Sequence, residues 1–459
     1  MLNKLWHNCR NLIRKGNNAS GLQPLVIPRA QHSISRKQIS DNAIKVLHRL
    51  NKAGHEAYLV GGCLRDLLLQ KSPKDFDIAT DAKPEQIKAL FRNSRIIGRR
   101  FKLVHITFGR EIIEVATFRA GNPTPVKGRA ETNDSGRILR DNVYGTIEDD
   151  VVRRDFTVNA LYYSIKDFHL LDYAGALKDI EKQRIQIIGD PETRFREDPV
   201  RMLRAVRFAE KLGFVIAPET ASQIHHLAHL LKDIPPARLF EESNKLFLSG
   251  AGHNTFLSLQ RYELFAPLYP QTAEQLAGPQ GQKTQQLLEL AMQGTDSRVN
   301  QERPVSPAFI NAALLWHSVQ GMANHFIERG EPKVPAFQQA ISIVLGRQAQ
   351  SVSIPKHFTS AMREIWSLQV RFEQRKNRKT RQLLEQKRFR AAYDLLLLRA
   401  KIGEIDNQLA EWWTAFQTAD EQEQNAMINR EQRTNPKAGR RRKRPSRNRR
   451  KQAPKPSDS

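Results

Sequence analysis

Two patterns of hydrophobic and polar residues divide the chain near residue 175. Before that point, short apolar runs stand between turn residues, at 58–60, 104–108 and 112–118. Such runs predict buried strands, and the last two flank Gly109-Arg110, which predicts a hairpin. From Ala176 onward, apolar residues recur at helical spacing. The pattern predicts an α/β head with a short mixed sheet, followed by all-α neck and body domains.

Residues 58–80 join a turn suited to phosphate with a pair of carboxylates suited to a metal ion. Gly61-Gly62 ends the first predicted strand and precedes a predicted helix, so backbone N–H groups can approach an anion with no Cβ in the way. Asp75 and Asp77 stand two apart in a second predicted strand over 75–79, so they project together, with Phe76 on the other side. Mg²⁺ takes one or two carboxylates together with substrate phosphates. The combination predicts a site that transfers a nucleotidyl group.

Arginines and acids recur together in two later stretches. Residues 153–157 read R-R-D-F-T, and residues 197–208 read E-D-P-V-R-M-L-R-A-V-R-F. Taken alone, the first is typical of a surface ion cluster and the second of a solvated helix face. Glu114 lies in the second strand of the predicted hairpin, where a carboxylate either meets solvent at an edge or faces the metal site. At the level of single motifs, both interpretations stay open.

Taken together, the motifs resemble those of the nucleotidyltransferase superfamily, in the branch that holds bacterial poly(A) polymerases and the CCA-adding enzymes of tRNA. Its first motif is matched by Gly61, Gly62, Arg65, Asp66, Asp75 and Asp77. Both arginine-rich stretches match later motifs. Residues 96–106, I-I-G-R-R-F-K-L-V-H-I, resemble the stretch that separates the poly(A) polymerases from the CCA-adding enzymes. The resemblance is close over 40–250 and loose beyond.

The resemblance implies a polynucleotide adenylyltransferase, which adds AMP from ATP to RNA 3′ ends without a template and so promotes RNA turnover. It implies that Asp75 and Asp77 hold two Mg²⁺ ions and that Asp155 is a further essential carboxylate. Asp198 and Arg201 would read the edge of the base, and Gly62 would cradle the triphosphate. The full set of implied nucleotide-binding residues is Gly62, Arg65, Arg154, Asp198, Arg201, Arg204 and Arg207.

Two alternatives remain. A CCA-adding tRNA nucleotidyltransferase would carry the same head, but residues 96–106 and the long basic tail argue against it. A non-catalytic RNA-binding protein with an inactive head belongs to another class. The intact Asp75, Asp77, Arg154 and Asp155 argue against that alternative.

Charge indicates a polyanionic partner. The chain of 459 residues carries a net +26, of which +10 lies from Lys437 onward. The tail, residues 426–459, has hardly any apolar residues, which predicts disorder. It would attract RNA or dock proteins of RNA decay, such as a nuclease, a helicase or an RNA chaperone. Over 371–390, nine basic residues surround Phe372 and Phe389, and Tyr393 follows, a pattern that predicts phosphate contacts with base stacking.

Composition also sets the expected divisions of the chain. We expect a basic N-terminal extension over 1–40, the head over 41–175, a neck with the nucleotide-recognition helix over 176–250 and an RNA-binding body over 251–425. Residues 1–15 are basic and amphipathic, which suits peripheral contact with an anionic membrane. Gly- and Pro-rich residues 121–138 predict a mobile loop. Two cysteines give no disulfide framework and no apolar run is long enough to span a membrane, so we expect a cytoplasmic monomer.

Overall fold

The computed structural model describes residues 22–98, 102–120, 130–132, 138–141, 143–375 and 378–433. Several sequence features lie outside these ranges. They are the amphipathic segment 1–15, Arg99-Arg100-Phe101 of the 96–106 block, most of the predicted loop 121–138, and the tail from residue 434.

Twelve strands are present in the described residues, eight of them in one mixed sheet. The strands are β1 (Leu25–Ile27), β2 (Ala57–Val60), β3 (Asp77–Thr80), β4 (Ser94–Ile97), β5 (Leu103–Phe108), β6 (Glu111–Thr117), β7 (Ala130–Thr132), β8 (Ile138–Asp141), β9 (Leu161–Tyr163), β10 (Leu170–Asp172), β11 (Arg184–Ile185) and β12 (Val215–Ile216). The large sheet has the order β1-β10-β9-β2-β3-β6-β5-β4, and β3 and β6 run parallel at its centre. This sheet confirms the predicted α/β head.

Helices make up most of the chain after residue 190. The α-helices are α1 (Asp41–Lys52), α2 (Gly62–Leu68), α3 (Pro84–Leu90), α4 (Ile147–Arg153), α5 (Ala176–Glu181), α6 (Pro191–Glu197), α7 (Val200–Leu212), α8 (Pro218–Leu227), α9 (Pro236–Phe247), α10 (Gly252–Arg261), α11 (Phe265–Leu268), α12 (Pro270–Ala277), α13 (Gly281–Asn300), α14 (Pro307–Leu314), α15 (Trp316–Glu328), α16 (Lys333–Ser351), α17 (Lys356–Phe372), α18 (Phe389–Lys401), α19 (Asn407–Thr418) and α20 (Glu421–Arg433). None of the described helices is long and apolar enough to cross a membrane.

Local signals in the head form the elements that they predict. The predicted hairpin is β5 and β6, joined through Gly109, whose φ of +60° suits a residue without a Cβ. Helix α1 begins after Ser40, whose hydroxyl accepts hydrogen bonds from the N–H groups of Asn42 and Ala43 at 3.2 and 3.4 Å. The second predicted strand is shorter than expected, because β3 starts at Asp77 and leaves Asp75 in the preceding loop.

Residues 22–40 belong to the head, whereas the sequence placed them in an N-terminal extension. Strand β1 pairs with β10 at one edge of the sheet, with Leu25 opposite Asp172. Ile27, Ile34 and Ile39 are buried in the main core. Burial of these three side chains ties the segment to the sheet, although its surface is basic.

The two faces of the sheet have different cores. Leu59 and Ile78 belong to the large core that continues into the helices. Val60 and Ala79 point the other way and join a small core with Phe118, Tyr162 and residues of α4. Asp77 shares this second face with Ala79, two residues away. The carboxylate therefore lies on the less covered side of the sheet.

Aromatic residues near 371–390 face inward, and this corrects the expectation that they stack on RNA bases. Phe372, Phe389 and Tyr393 are all buried, and Phe372 and Phe389 lie against Trp413 at ring distances of 4.9 and 5.8 Å. A mixture of basic and aromatic residues is equally typical of a helix with one buried and one solvated face as of an RNA-binding surface. In this body the rings form core, and only the charges reach the surface.

The tail begins later than residue 426. Helix α20 runs to Arg433, and Ile428 is buried within it. One buried apolar side chain, together with the ion pair of 2.5 Å between Arg381 and Glu421 at its start, holds this helix to the body. Residues 426–433 therefore belong to the helical body and not to the predicted tail.

Candidate active site

Two carboxylates, Asp77 and Glu114, lie side by side on the central parallel strands β3 and β6, and Asp75 is close in sequence. Asp77 lies opposite Glu114 in the register of β3 and β6, and Asp75 is two residues before Asp77. Burial raises the pKa of Asp77 to about 6, and the charges of Glu114 and Asp75 contribute, opposed by Arg154. Like charges shift a pKa upward in this way only when they are close. The sequence left open whether Glu114 meets solvent at a strand edge or faces the metal site. Because its strand adjoins the strand of Asp77, the metal-site interpretation is favoured.

These carboxylates fit a magnesium ion that also binds substrate phosphates. Among the described residues no three acidic, histidine or cysteine side chains are already arranged as a complete metal-ligand set. Mg²⁺ does not require one, because it retains waters and phosphate oxygens around one or two carboxylates. Desolvation and the charges of Glu114 and Asp75 raise the pKa of Asp77, so a nearby positive charge would stabilise its ionised form. A divalent cation would supply that charge.

The Gly-Gly turn adjoins two arginines, Arg154 and Arg65. Gly61 has φ +78°, and a Cβ there would lie 3.6 Å from Nη1 of Arg154. Arg65, which the resemblance places on the triphosphate, is buried behind this turn. Its guanidinium donates to Asn159 at 2.5 Å and to Asp66 at 2.9 and 2.7 Å. The structure therefore brings Arg65 to the back of the turn and not into the cavity described below.

The guanidinium of Arg154 is held in place by hydrogen bonds to two residues of the head. It donates to Asp150 at 3.0 Å and to the Tyr162 hydroxyl at 2.7 Å. Burial would lower the pKa of Arg154, but Tyr162 and Asp150 hold it above its ordinary value. A guanidinium held in this way is a permanent cation beside the Gly-Gly turn.

Asp155 is an ionised, fully hydrogen-bonded carboxylate. Arg204 donates to it through Nε at 2.7 Å and Nη2 at 2.5 Å, and Asn159 and the Phe156 N–H donate to its other oxygen. Burial would raise the pKa of Asp155, but the Arg204 charge and these hydrogen bonds lower it to about 2. Asp155 thus anchors α7 to the head.

The residues expected to read the base are each held by a partner that the sequence did not indicate. Arg238 of α9 donates to Asp198 at 2.7 Å. Arg201 donates to Glu197 at 2.9 Å and to the carbonyl of Arg194 at 2.7 Å. Nη1 of Arg238 is buried and has no hydrogen-bond partner among the described residues, so one donor stays available.

A cavity of about 430 Å³ unites these groups. Of the predicted residues it is lined by Asp77, Arg154, Asp155, Asp198, Arg201 and Arg204; Gly62, Arg65, Asp75 and Arg207 lie outside its lining. It adds charged residues that were not predicted: Arg119, Asp150, Arg153, Arg194, Glu197, Arg238 and Glu242. Glu197 and Arg153 stood inside matched motifs and could have been found there. Arg238 and Glu242 lie in an ordinary amphipathic helix that carries no local signal.

Comparisons with known proteins identify the relatives of this chain. Three family profiles match: "Poly A polymerase head domain" over residues 57–186, "Probable RNA and SrmB- binding site of polymerase A" over 213–276, and "Polymerase A arginine-rich C-terminus" over 329–451. The poly(A) polymerase I of Salmonella typhi is 49% identical over 434 residues, which cover 94% of this chain and 92% of that protein.

The related CCA-adding enzymes match less of the chain. The enzyme of Bacillus subtilis is 37% identical over 226 residues, 49% of this chain and 55% of that protein. A solved tRNA-processing enzyme in its apo form shares the fold, with a TM-score of 0.56 and 21% identity over 85% of this chain and 98% of that one. Full-length similarity is thus to the poly(A) polymerases, and the chain belongs to the poly(A) polymerase family.

Proposed function

We propose that this protein is a template-independent polynucleotide adenylyltransferase that extends RNA 3′ ends with AMP from ATP and so promotes RNA turnover. The observation that carries the proposal is the cavity itself. Its head side carries Asp77 and Glu114, and its helical side carries Asp198 and Arg201. A nucleoside triphosphate needs both ends, a cation-binding end for phosphates and a polar end for the base.

Asp75 and Asp77 are the residues that would hold two Mg²⁺ ions, with Glu114 adjoining. Bound there, the ions would favour the deprotonated 3′-hydroxyl of RNA and neutralise charge on the departing pyrophosphate. The chain itself supplies positioning. Arg154 contributes a fixed cation beside the Gly-Gly turn, and no Ser or His nucleophile is required for this class of transfer.

Arg65 and Arg204 have supporting roles. Arg65 braces the Gly-Gly turn from behind through Asn159, so its effect on the triphosphate would pass through the shape of the turn. Arg204 is neutralised by Asp155 and joins the neck helix to the head. RNA is the substrate in this proposal, the cytoplasm is the site of action, and any protein partner would come through the tail.

Nucleotide choice tests the function. Purified protein with Mg²⁺ and a generic RNA should incorporate ATP into a long tail and should use CTP, GTP and UTP poorly. A tRNA that ends before its CCA sequence serves as the second substrate. Incorporation of CTP ahead of ATP on that tRNA would favour the CCA-adding activity, and no incorporation of any nucleotide would favour a non-catalytic RNA-binding role.

Base choice should depend on Asp198 and on the arginine that holds it. Loss of a group paired with a polar base edge typically costs about 1–3 kcal/mol. Asp198→Ala should therefore reduce the preference for ATP over CTP by roughly ten- to a hundredfold, and Arg238→Ala should reduce it in the same direction because Asp198 loses its 2.7 Å restraint.

Arg196→Ala is the matched control for this measurement. Arg196 also pairs with one carboxylate at 2.8 Å, but that pair with Glu192 is half exposed and the arginine does not line the cavity. Its kcat/KM ratio for ATP over CTP should stay at the wild-type value. Unchanged discrimination in both Asp198→Ala and Arg238→Ala would contradict base readout at this position.

A further inference from the structure

Arg207, Lys211 and Lys74 are basic side chains that have no carboxylate partner among the described residues. Arg207 and Lys211 stand four residues apart on α7, so they are neighbours on one side of the helix. Lys74 immediately precedes Asp75 in the loop before β3. Burial lowers the pKa of Lys211, and the charges of Arg207, Arg65 and Lys74 lower it further against Asp66. The cations are therefore close enough to repel one another.

The ring of Phe208 lies among three arginines, of which Arg207 belongs to this group and Arg65 contacts the Gly-Gly turn. Three guanidinium carbons lie around it, those of Arg207 at 4.4 Å, Arg204 at 5.3 Å and Arg65 at 5.5 Å from the ring centre. Asp66 is the acid whose charge acts on Lys211, and Arg65 already donates two hydrogen bonds to it. Nε of Arg207 is buried and has no hydrogen-bond partner among the described residues. An unmatched buried donor of this kind is costly unless a ligand completes it.

These cations lie outside the lining of the nucleotide cavity. Arg204 lines the cavity and is neutralised by Asp155, whereas Arg207 and Lys211 follow it along α7 and do not line the cavity. Lys74 precedes Asp75, a predicted metal ligand, so the cations adjoin the site from outside the cavity lining. A polyanion whose 3′ terminus lies at Asp75 would pass them.

We propose that Arg207, Lys211 and Lys74 form a cation row that binds the phosphodiester backbone of RNA just upstream of the 3′ end being extended. The inference rests on the proposed function and adds the path of its RNA substrate. Contacts to phosphates carry no base information, so the row suits a substrate of any sequence. It also suits repeated addition, because each advance of the strand by one nucleotide presents an equivalent phosphate.

The variant Lys74→Gln with Lys211→Gln tests the row without touching a residue placed in the nucleotide site. Removal of two surface cations that bind phosphate should raise the KM for RNA roughly fivefold near 0.15 M salt. The KM for ATP and kcat at saturating RNA should remain at wild-type values. The slope of log affinity against log salt should become shallower by about 0.7 for each lysine.

Lys45→Gln with Lys52→Gln is the matched control. Both lysines are exposed on α1, so this variant removes the same net charge from the head at a different place. Its KM for RNA should stay within twofold of wild type. A control that weakens RNA binding as much as the test variant would mean that only total charge matters, and would overturn the row.

Neutral methylphosphonate linkages in a short oligoadenylate locate the contact. In the wild type, a neutral linkage among the last few before the 3′ end should raise the KM, and in Lys74→Gln/Lys211→Gln the same linkage should have little further effect. The proposal would be overturned if neutral linkages raised the KM for RNA equally in the wild type and in the double variant. It would also be overturned if the double variant had a raised KM for ATP and an unchanged KM for RNA. A wild-type protein that adds no AMP at all would instead refute the proposed function, which separates the two failures.

Discussion

Asp77→Asn is expected to abolish nucleotide addition, with kcat lower by at least about a thousandfold, and to leave thermal stability equal or slightly higher. The loss follows from removing a ligand of a cation that supplies several kcal/mol of transition-state stabilisation. The gain in thermal stability is expected because the substitution removes a negative charge that Glu114 and Asp75 repel at this end of the sheet. A group that is costly for the fold and essential for activity identifies a functional site.

The folding stability of the wild type should also depend on pH through the ionisation of Asp77. Burial and the two neighbouring acids raise the pKa of Asp77 from 3.8 to about 6, so the native state holds its proton longer than the unfolded chain does. The contribution of Asp77 to folding stability is therefore present below pH 3.8 and is lost as the pH rises to 6. Mg²⁺ should restore it in the wild type and raise the Tm, whereas Asp77→Asn should not respond.

Asp81→Asn serves as the control, because Asp81 follows the same strand but pairs with His55 at 3.2 Å and does not line the cavity. It should retain most activity and the full response of the Tm to Mg²⁺. The measurements are single-turnover extension of RNA and thermal unfolding with and without Mg²⁺. Near wild-type extension by the double variant Asp75→Asn/Asp77→Asn would show that the site is wrongly assigned.

Glu404→Gln is expected to destabilise the helical body by about 3–5 kcal/mol, the range for breaking a buried ion pair from one side. Glu404 is buried and accepts hydrogen bonds from Trp316 at 3.1 Å, His317 at 3.2 Å, Gln320 at 2.7 Å and Arg399 at 2.9 Å. It therefore joins α15 to α18. Glutamine replaces one acceptor oxygen with an amide donor, so it faces donors with donors and leaves the Arg399 charge unpaired.

Acid should weaken the same junction in the wild type. Burial would raise the pKa of Glu404, but the hydrogen bond from His317 and the charge of Arg399 lower it from 4.5 to about 2. The stabilising contribution is thus present above pH 4.5 and is lost as the pH falls toward 2. Glu421→Gln is the control, since Glu421 is 77% exposed in its pair with Arg381. It should cost less than about 1 kcal/mol.

Denaturant unfolding followed by tryptophan fluorescence measures both variants, because Trp316 and Trp413 are buried in the body. The midpoint for Glu404→Gln should fall well below that of Glu421→Gln. Equal midpoints would show that the buried network around Glu404 does not hold the body together.

The sequence by itself determined the class of the fold and the position of the Gly-Gly turn. Strand and helix periods depend on which residues face a core, so the hairpin strands β5 and β6 were predictable from local spacing. The pairing of Asp75 and Asp77 on one strand face stays a prediction, because the strand begins at Asp77 and Asp75 lies in the preceding loop, outside the cavity lining. Motif resemblance then indicated Arg154, Asp155, Asp198 and Arg201.

Tertiary structure alone decided which of these residues lie together and which already form hydrogen bonds or ion pairs with other residues. It placed Arg65 behind the turn, brought Arg238 from α9 to Asp198, and turned Phe372 inward. A periodic pattern states that a side chain faces inward or outward, but it does not name the partner across the interface. That partner depends on how distant helices dock, since long-range contacts join residues such as Asp198 and Arg238 that share no local signal.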